Sequence, residues 1–382
     1  LEQAKVEPLW EPESMAVQQS QAPLLAIAQA GLSDPAQAFE QARPDFGPYQ
    51  QLRQRYAELR RQELPQWLAI PGGTLLKPGA VDGRVPLLEQ RLQLHGDLSQ
   101  GAPALVAEQG SVYSTALVEA VKAFQRNHLL KPDGVVGPGT LAELNRSASE
   151  RMDQIRINLE RLRWLSHEIE PTSVLIDVAG AEVVFLRDHA VTWQARTQVG
   201  RPARPTPLLR SRITHLTLNP TWTIPPTILK EDKLPELRRD AAGYLAANHM
   251  QVIDYDGNPV DPRGVDWERP GRVMIRQSAG AHSPLGKVAI RFPNPFSVYL
   301  HDTPSQRLFD NLPRLFSSGC VRIERVTELV DQLLVGASPS ERARITRQWE
   351  SGNTLRADLP RPVPILMAYW TAQVGADGQV QF

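Results

Sequence analysis

Residues 297–334 of the chain read SVYLHDTPSQRLFDNLPRLFSSGCVRIERVTELVDQLL. The short apolar run before His301 contains β-branched and aromatic residues, so it predicts a strand that ends at this histidine. The apolar residues after Cys320 recur at helical spacing and predict a helix. A glycine and small polar residues precede Cys320, which predicts a tight, accessible turn. The stretch therefore predicts a strand, a loop, a turn that carries a thiol, and a helix.

Cys320 is the single cysteine of the 382-residue chain. A lone cysteine without further context is most often a small buried apolar residue. Here we expect it at or just before a helix N-terminus, where the helix dipole and the nearby Arg322 would lower the thiol pKa. These features favour a nucleophile over a core residue.

His301 is the candidate base for this nucleophile, because it ends a strand and its ring can project into a cleft. The separation in sequence, 320 − 301 = 19, allows a strand and a long loop to bring the two side chains together. The chain has eight histidines, so spacing alone does not select one. His215 and His282 lie in the same predicted domain and remain alternatives.

Working outward, short β-rich runs separated by turns begin after Pro171 and predict a β-rich, β-sandwich-like domain over residues 171–382. The pattern of short strands is interrupted at about 228–272, where a helical stretch and a turn-rich piece predict an insertion. Such an insertion is either a lid or binding loop over the cleft or a plain surface excursion.

The N-terminal part predicts helices. Residues 1–45 are rich in Gln, Ala, Pro and Glu and predict a loosely ordered lead-in. Residues 46–82 and 147–170 predict a helical scaffold, with one helix from Tyr49 to about Leu64 that Pro65 ends. Residues 83–146 predict a three-helix module. The predicted fold class is thus a multidomain α + β protein.

Composition excludes several function classes. Lys plus Arg and Asp plus Glu both number 42, so no net charge favours nucleic acid as a partner. No run approaches the roughly 18 apolar residues of a membrane span. The histidines are scattered around one cysteine, which predicts no metal site. The first residues lack the pattern of a signal peptide, and a preceding export signal or anchor is expected to lie outside this sequence.

The helical module resembles a peptidoglycan-binding domain. The resemblance rests on Phe124-Gln125, at the end of a helix whose outer face we expect to include Gln125, and on the turn Asp133-Gly134, Gly137 and Thr140. A generic three-helix bundle is the alternative.

The segment from Tyr299 to Arg322 resembles the active-site signature of the L,D-transpeptidases, in particular the large lidded enzymes of Gram-negative bacteria. Further matching pieces are Thr206-Pro207, Asn219-Pro220-Thr221-Trp222, Arg276-Gln277, Leu285-Gly286 and Val363-Pro364. Two positions depart from the pattern. Ser318 replaces a second histidine, as in the lidded branch, and residues 281–284 replace an expected Asn-Ala, which leaves the role of that loop open.

The resemblance implies that Cys320 attacks a tetrapeptide stem of peptidoglycan, releases D-Ala, and passes the acyl group to the diamino acid of a second stem. His301 would act as base and then acid. The backbone N–H groups of Gly319 and Cys320, together with the Tyr299 hydroxyl, would hold the oxyanion, and Ser318 and Arg322 would contact substrate. Asp302 or a backbone carbonyl would orient His301. No cofactor is implied, carbapenems are the expected inhibitors, and the expected location is the periplasm.

Two other functions remain open at this level. Water could take the thioester, which would make the protein an L,D-carboxypeptidase of cell-wall peptides. A non-catalytic scaffold that binds the wall would need only the helical module. The acceptor could be another stem, a lipoprotein lysine or a free D-amino acid, and the sequence does not choose among them.

Overall fold

The computed structural model describes residues 21–62, 68–98, 106–107, 110–375 and 378–382. These residues form two units. The first comprises the described residues up to Glu170 together with Tyr369–Phe382, and the second is Pro171–Ala368. The last 14 residues therefore group with the N-terminal helices, whereas the sequence predicted a catalytic domain that continued to residue 382.

The N-terminal unit is mainly helical, as the sequence predicted. Two of its helices cap themselves well, because Ser114 and Ser147 each accept a hydrogen bond from a backbone N–H of the first turn. Its helices are α1 (Gln21–Ala30), α2 (Pro35–Gln41), α3 (Gly47–Arg60), α4 (Val85–His95), α5 (Thr115–Asn127), α6 (Pro138–Leu144) and α7 (Ala148–Leu165).

The prediction of a loosely ordered lead-in through residue 45 is wrong for the part that the structure describes, because α1 and α2 lie there. Asp34 accepts a hydrogen bond from the backbone N–H of Gln37, and Pro35 occupies the first turn of α2. Residues 1–20 of that lead-in lie outside the described residues, as do Leu64 and Pro65, where α3 was predicted to end.

The module around α4–α6 also contains a small sheet with strand order β1-β3-β2, from β1 (Val81–Asp82), β2 (Val106–Ala107) and β3 (Gly110–Val112). Phe124 is fully buried in its core. Gln125 is buried too, which corrects the prediction that it faces outward. Its side chain accepts from the Gly134 N–H at 2.9 Å and donates to the Thr140 hydroxyl at 3.1 Å, so it holds the Asp-Gly turn against α5.

The second unit is built on one nine-stranded sheet, which confirms the predicted β-rich fold. The strand order is β13-β6-β14-β12-β11-β7-β15-β4-β5. β6 pairs with β5 through its first half and with β14 through its second, so the sheet closes on itself. The strands are β4 (Ser173–Asp177), β5 (Glu182–Arg187), β6 (Ala190–Gly200), β7 (Leu209–Leu218), β11 (Val288–Arg291), β12 (Leu300–His301), β13 (Leu315–Ser317), β14 (Val321–Ile323) and β15 (Leu355–Ala368).

The apolar core of this unit lies inside the closed sheet. Alternate strand residues such as Ile290, Leu300 and Val321 are completely buried there. Two further helices, α9 (Val326–Leu333) and α10 (Pro339–Glu350), add apolar side chains to the same core. Because side chains alternate along a strand, the polar neighbours of these core residues point to the opposite face of the sheet.

The insertion is larger than predicted and has a buried cluster of its own. It contains β8 (Trp222–Thr223), helix α8 (Leu234–Ala247), β9 (Met250–Ile253) and β10 (Met274–Gln277), with sheet order β8-β10-β9. Its buried apolar residues are Ile224, Leu229, Leu234, Leu237, Leu245, Val252 and Ile275. Ile224 and Ile275 of this cluster lie outside the predicted range 228–272, so flanking residues complete the core of the insertion.

The remaining described segment is a hairpin of β16 (Gln373–Val374) and β17 (Val380–Gln381). None of the helices in the described part of the chain is both long and apolar enough to cross a bilayer.

Candidate active site

Four polar side chains lie together where β12 and β14 run side by side. The register pairs His301 with Arg322 and Leu300 with Val321 in a parallel ladder. One residue earlier, Tyr299 therefore lies opposite Cys320, and its carbonyl accepts a hydrogen bond from the Val321 N–H at 3.1 Å. The side chains of Tyr299, His301 and Arg322 consequently project from the face opposite that of Leu300 and Val321. The Cys320 side chain lies beside Tyr299 and also packs against the edge of the apolar core. The strand pairing thus brings together four of the predicted site residues.

The turn that carries the thiol is held by Ser317. Its hydroxyl donates to the Cys320 carbonyl at 2.5 Å and accepts from the Gly319 N–H at 3.1 Å. Gly319 has a φ of 115°, which favours glycine at this position. Because the Gly319 N–H is already engaged, it is a poor oxyanion donor in this conformation. The Cys320 N–H makes no hydrogen bond within the described part of the chain and is better placed for that role.

Cys320 does not lie at a helix N-terminus, contrary to the prediction from the sequence. Strand β14 follows the cysteine, and α9 begins only at Val326. Burial raises the pKa of the Cys320 thiol, and this effect outweighs hydrogen bonds from the Tyr299 backbone and the positive charges of Arg291 and Arg322. The predicted lowering of the thiol pKa is therefore wrong, and Cys320 rests as a neutral thiol.

His301 is buried and has a defined tautomer. Its Nδ1 lies 2.5 Å from the backbone carbonyl oxygen of Asp302, which can only accept a hydrogen bond. Nδ1 therefore carries the proton and Nε2 has a free lone pair. Burial lowers the pKa of His301 to about 3, and the charge of Arg322 adds to the shift. A neutral imidazole with an unprotonated Nε2 is the form that a general base requires.

The Asp302 carboxylate does not touch His301. It accepts hydrogen bonds from the backbone N–H of Lys287 at 2.9 Å and of Thr303 at 2.7 Å. A Cβ at Gly286, where φ is +57°, would lie 2.2 Å from this carboxylate. Asp302 thus braces the turn at Leu285-Gly286, and only its backbone carbonyl orients the histidine.

Arg291 is a site residue that sequence reasoning missed. Its guanidinium lies over the Tyr299 ring, 3.7 Å from the centroid, and the Tyr299 and His301 rings are 5.7 Å apart between centroids. Burial raises the pKa of the Tyr299 hydroxyl, so this group is a hydrogen-bond donor at neutral pH. No local motif marks Arg291, and only its place at the end of β11 beside β12 could have suggested it.

Arg322 and Ser318 occupy different surroundings. Arg322 is half-buried and donates to the Gln198 side chain at 3.1 Å, while its charge acts on both His301 and the thiol. Ser318 is exposed, and its hydroxyl accepts from Arg204 at 3.0 Å. The predicted contacts of these two residues with substrate stay predictions.

The alternative histidines lie away from this cluster. His215 is paired on β7 with Arg291 of β11, one strand beyond the site. His282 stacks on His249 with ring centroids 4.1 Å apart, in the loop whose role the sequence left open. In the described ranges no three His, Cys, Asp or Glu side chains are grouped in a way that would hold a metal ion.

A cleft of about 480 Å³ runs beside the polar face. Arg291 and Tyr299 line it from the sheet, and Trp222, Thr223 and Pro225 line it from the insertion. The insertion therefore borders the same cleft as the site residues.

Comparison with known families agrees with this geometry. Residues 171–345 match the YkuD family, described as the L,D-transpeptidase catalytic domain. This part of the chain is thus similar to the L,D-transpeptidase catalytic domain. Residues 81–144 match the family described as "Putative peptidoglycan binding domain". The resemblances noted in the sequence are thus confirmed for both segments.

Relatives of the L,D-transpeptidase domain occur among curated proteins and solved structures. A Haemophilus influenzae protein named "Putative L,D-transpeptidase" is 32% identical over 224 residues, which are 58% of this chain and 45% of that protein. The chain thus spans less than half of that relative. A Mycobacterium smegmatis L,D-transpeptidase structure is 12% identical, with 52% of this chain and 58% of that chain covered and a TM-score of 0.24. A Xylanimonas cellulosilytica L,D-transpeptidase is 16% identical, with 78% and 99% covered and a TM-score of 0.21.

Proposed function

We propose that this chain is a cysteine transpeptidase that joins two peptidoglycan stem peptides by a 3–3 cross-link. The observation that carries the proposal is the register of β12 and β14, which aligns Cys320 with Tyr299 and puts His301 on the same polar face. A thiol, a neutral imidazole and a phenol donor are the groups that acyl transfer through a thioester requires.

In the first half-reaction, the Cys320 sulfur attacks the carbonyl carbon that joins the third stem residue to the terminal D-Ala. Because the thiol is neutral at rest, His301 Nε2 takes its proton as the carbon–sulfur bond forms. The negative charge on the carbonyl oxygen is stabilised by the Cys320 N–H and the Tyr299 hydroxyl. One such donor is typically worth about 2.7–4 kcal/mol. The intermediate collapses, the imidazolium returns its proton to the leaving amine, and D-Ala departs.

In the second half-reaction, the side-chain amine of the acceptor's diamino acid attacks the thioester carbon. His301 accepts a proton from the amine and then returns it to the departing sulfur, which restores the thiol. The sequence of steps needs no metal, nucleotide or redox partner. Water in place of the amine would give hydrolysis by the same route.

The helical module with α4–α6 would bind peptidoglycan and keep the catalytic domain near its substrate. We also place the protein in the periplasm, because the proposed donor and acceptor stems are part of the wall. Binding of a carbapenem follows from the same chemistry, since its strained carbonyl can acylate the Cys320 thiol.

The test is incubation of the protein with purified tetrapeptide muropeptides, followed by mass spectrometry. Dimers that have lost one D-Ala support transpeptidation, shortened monomers support hydrolysis, and unchanged substrate supports a wall-binding scaffold. Cys320→Ala should abolish either product and remove a one-to-one carbapenem adduct. His189→Gln, at an exposed hairpin remote from the site in sequence, is the matched control and should keep both activities. A wild-type protein that forms no adduct and no product would refute the proposal.

A further inference from the structure

One loop contacts three successive residues of the turn that carries Cys320. In the support loop, residues 201–206, the Arg201 N–H donates to the Ser317 carbonyl at 3.0 Å. Arg204 Nη1 donates to the Ser318 hydroxyl at 3.0 Å, and the Thr206 hydroxyl donates to the Gly319 carbonyl at 2.9 Å. The position of the sulfur therefore depends on the position of this loop.

The support loop is itself tightly folded. The Thr206 hydroxyl accepts from the Gly200 N–H at 2.8 Å, and the Arg204 N–H donates to the Arg201 carbonyl at 2.8 Å. A Cβ at Gly200 would lie 2.3 Å from the Arg204 carbonyl oxygen and 2.6 Å from the Thr206 nitrogen. A loop packed this closely has little freedom to absorb a displacement, so it transmits one.

The same loop is attached to the insertion through charged groups. Arg204 binds Asp232 with a two-pronged contact, at 2.7 and 3.0 Å, and it also pairs with Glu231. Arg201 adds a longer contact to Asp232 at 3.4 Å. The two carboxylates lie in the helical turn Leu229–Lys233, whose first residue belongs to the buried cluster of the insertion.

Arg204 differs from the surface ion pairs of the chain. Its side chain is only 11% exposed, and one guanidinium holds two carboxylates and the Ser318 hydroxyl at the same time. A planar, two-pronged guanidinium contact fixes direction as well as distance. An ordinary exposed pair contributes little and constrains little.

We infer that Arg204 is a positioning residue, which fixes the Cys320 turn in its reactive geometry only while Asp232 of the insertion holds the guanidinium. The insertion would then act on the chemistry through the support loop, in addition to bordering the cleft. This inference rests on the proposed function for its kinetic consequence, while its structural consequence can be measured without it. Misplacing a nucleophile by a fraction of an ångström to 1 Å slows a reaction by roughly ten- to a hundredfold.

The experiment compares Arg204→Gln, Arg204→Lys, Asp232→Asn and the double variant R204Q/D232N in the full chain. The matched control is Arg263→Gln, which breaks another arginine–aspartate pair of the insertion, with Asp261 at 3.1 Å, on its exposed surface. Three quantities are measured: the saturating rate of carbapenem acylation, its half-saturating concentration, and hydrogen–deuterium exchange of the peptide covering residues 315–323.

Arg204→Gln and Asp232→Asn should each lower the saturating acylation rate about tenfold or more, with a smaller change in half-saturation. The double variant should be no slower than Arg204→Gln, because both changes break one connection. Arg204→Lys should be acylated faster than Arg204→Gln and more slowly than the wild type, because lysine keeps the positive charge but cannot make the two-pronged contact with Asp232. Exchange in 315–323 should rise in the slowed variants and stay at the wild-type level in Arg263→Gln.

Full additivity of the two changes, or a wild-type rate and exchange in Arg204→Gln, would overturn the inference. If Arg204→Gln fails to fold by circular dichroism, Asp232→Asn decides the question alone. If the wild-type protein is not acylated, the proposed function fails, and exchange still decides whether the insertion fixes the turn.

Discussion

The protonation states of Cys320 and His301 make a prediction that separates two mechanisms. Burial raises the thiol pKa and lowers the pKa of His301 to about 3. An ordinary thiol is only a few per cent thiolate at pH 7, and the buried Cys320 must be less ionised than that. The resting pair is therefore a thiol beside a neutral imidazole, and proton transfer occurs during attack.

Two reagents distinguish a neutral thiol–imidazole pair from a thiolate–imidazolium pair. Iodoacetamide reacts with the thiolate alone, so its rate should rise about tenfold per pH unit from pH 6 to 9 without a plateau. In the proposed mechanism His301 is the base for carbapenem acylation, so the acylation rate should stay nearly flat from pH 5 to 8, where the imidazole is neutral. His301→Gln should slow acylation by roughly 10²- to 10⁴-fold and leave the slope of alkylation unchanged.

Both rates are read as the fraction of modified protein by intact mass spectrometry, with His189→Gln as the control. A plateau in alkylation with a midpoint at or below pH 7 would refute the reasoning, because it would show a thiolate–imidazolium pair at rest. A steep fall of acylation between pH 7 and 5 would refute the neutral state of His301.

Three further predictions concern the rest of the chain. Gly200→Ala should lower the free energy of unfolding by about 1–3 kcal/mol and slow carbapenem acylation, because the added Cβ would lie 2.3 Å from the Arg204 carbonyl oxygen. Urea denaturation measures the first effect and mass spectrometry the second, and wild-type values for both would contradict the prediction. Burial lowers the pKa of His95 to about 3 and that of His128 to about 4, so the unfolded chain binds protons that the folded unit does not. The N-terminal unit should thus lose stability as the pH falls from about 6.5 to 4, by at most about 3 kcal/mol per histidine, and His128→Gln should flatten the thermal-unfolding curve against pH. Replacing the segment between the paired residues Thr223 and Arg276 by a short Gly/Ser turn should raise the ratio of hydrolysed to cross-linked muropeptide, because water then reaches the thioester. An unchanged ratio in a folded, carbapenem-reactive variant would show that the insertion does not act as a lid.

The sequence carried the information for the secondary-structure elements and for the choice of Cys320 as the candidate nucleophile. A strand that ends at His301 and a glycine turn before Cys320 are local features, encoded in a few neighbouring residues, and both are present in the structure. The same holds for α7, whose apolar spacing and Ser147 capping box mark it clearly. Local propensity and turn chemistry act over short distances, so they can be read without the fold.

Tertiary structure decided the burial, the hydrogen-bond partners and the pKa of these residues. The sign of the thiol pKa shift depends on burial, which no local pattern reports. Gln125 was expected at the surface and is buried, because its partners at the Asp-Gly turn reach it only after the module folds. The Arg204 contacts join residues that are 28 and 114 positions apart in sequence. Hydrogen bonds, charges and desolvation act through space, so these properties exist only once distant segments have come together.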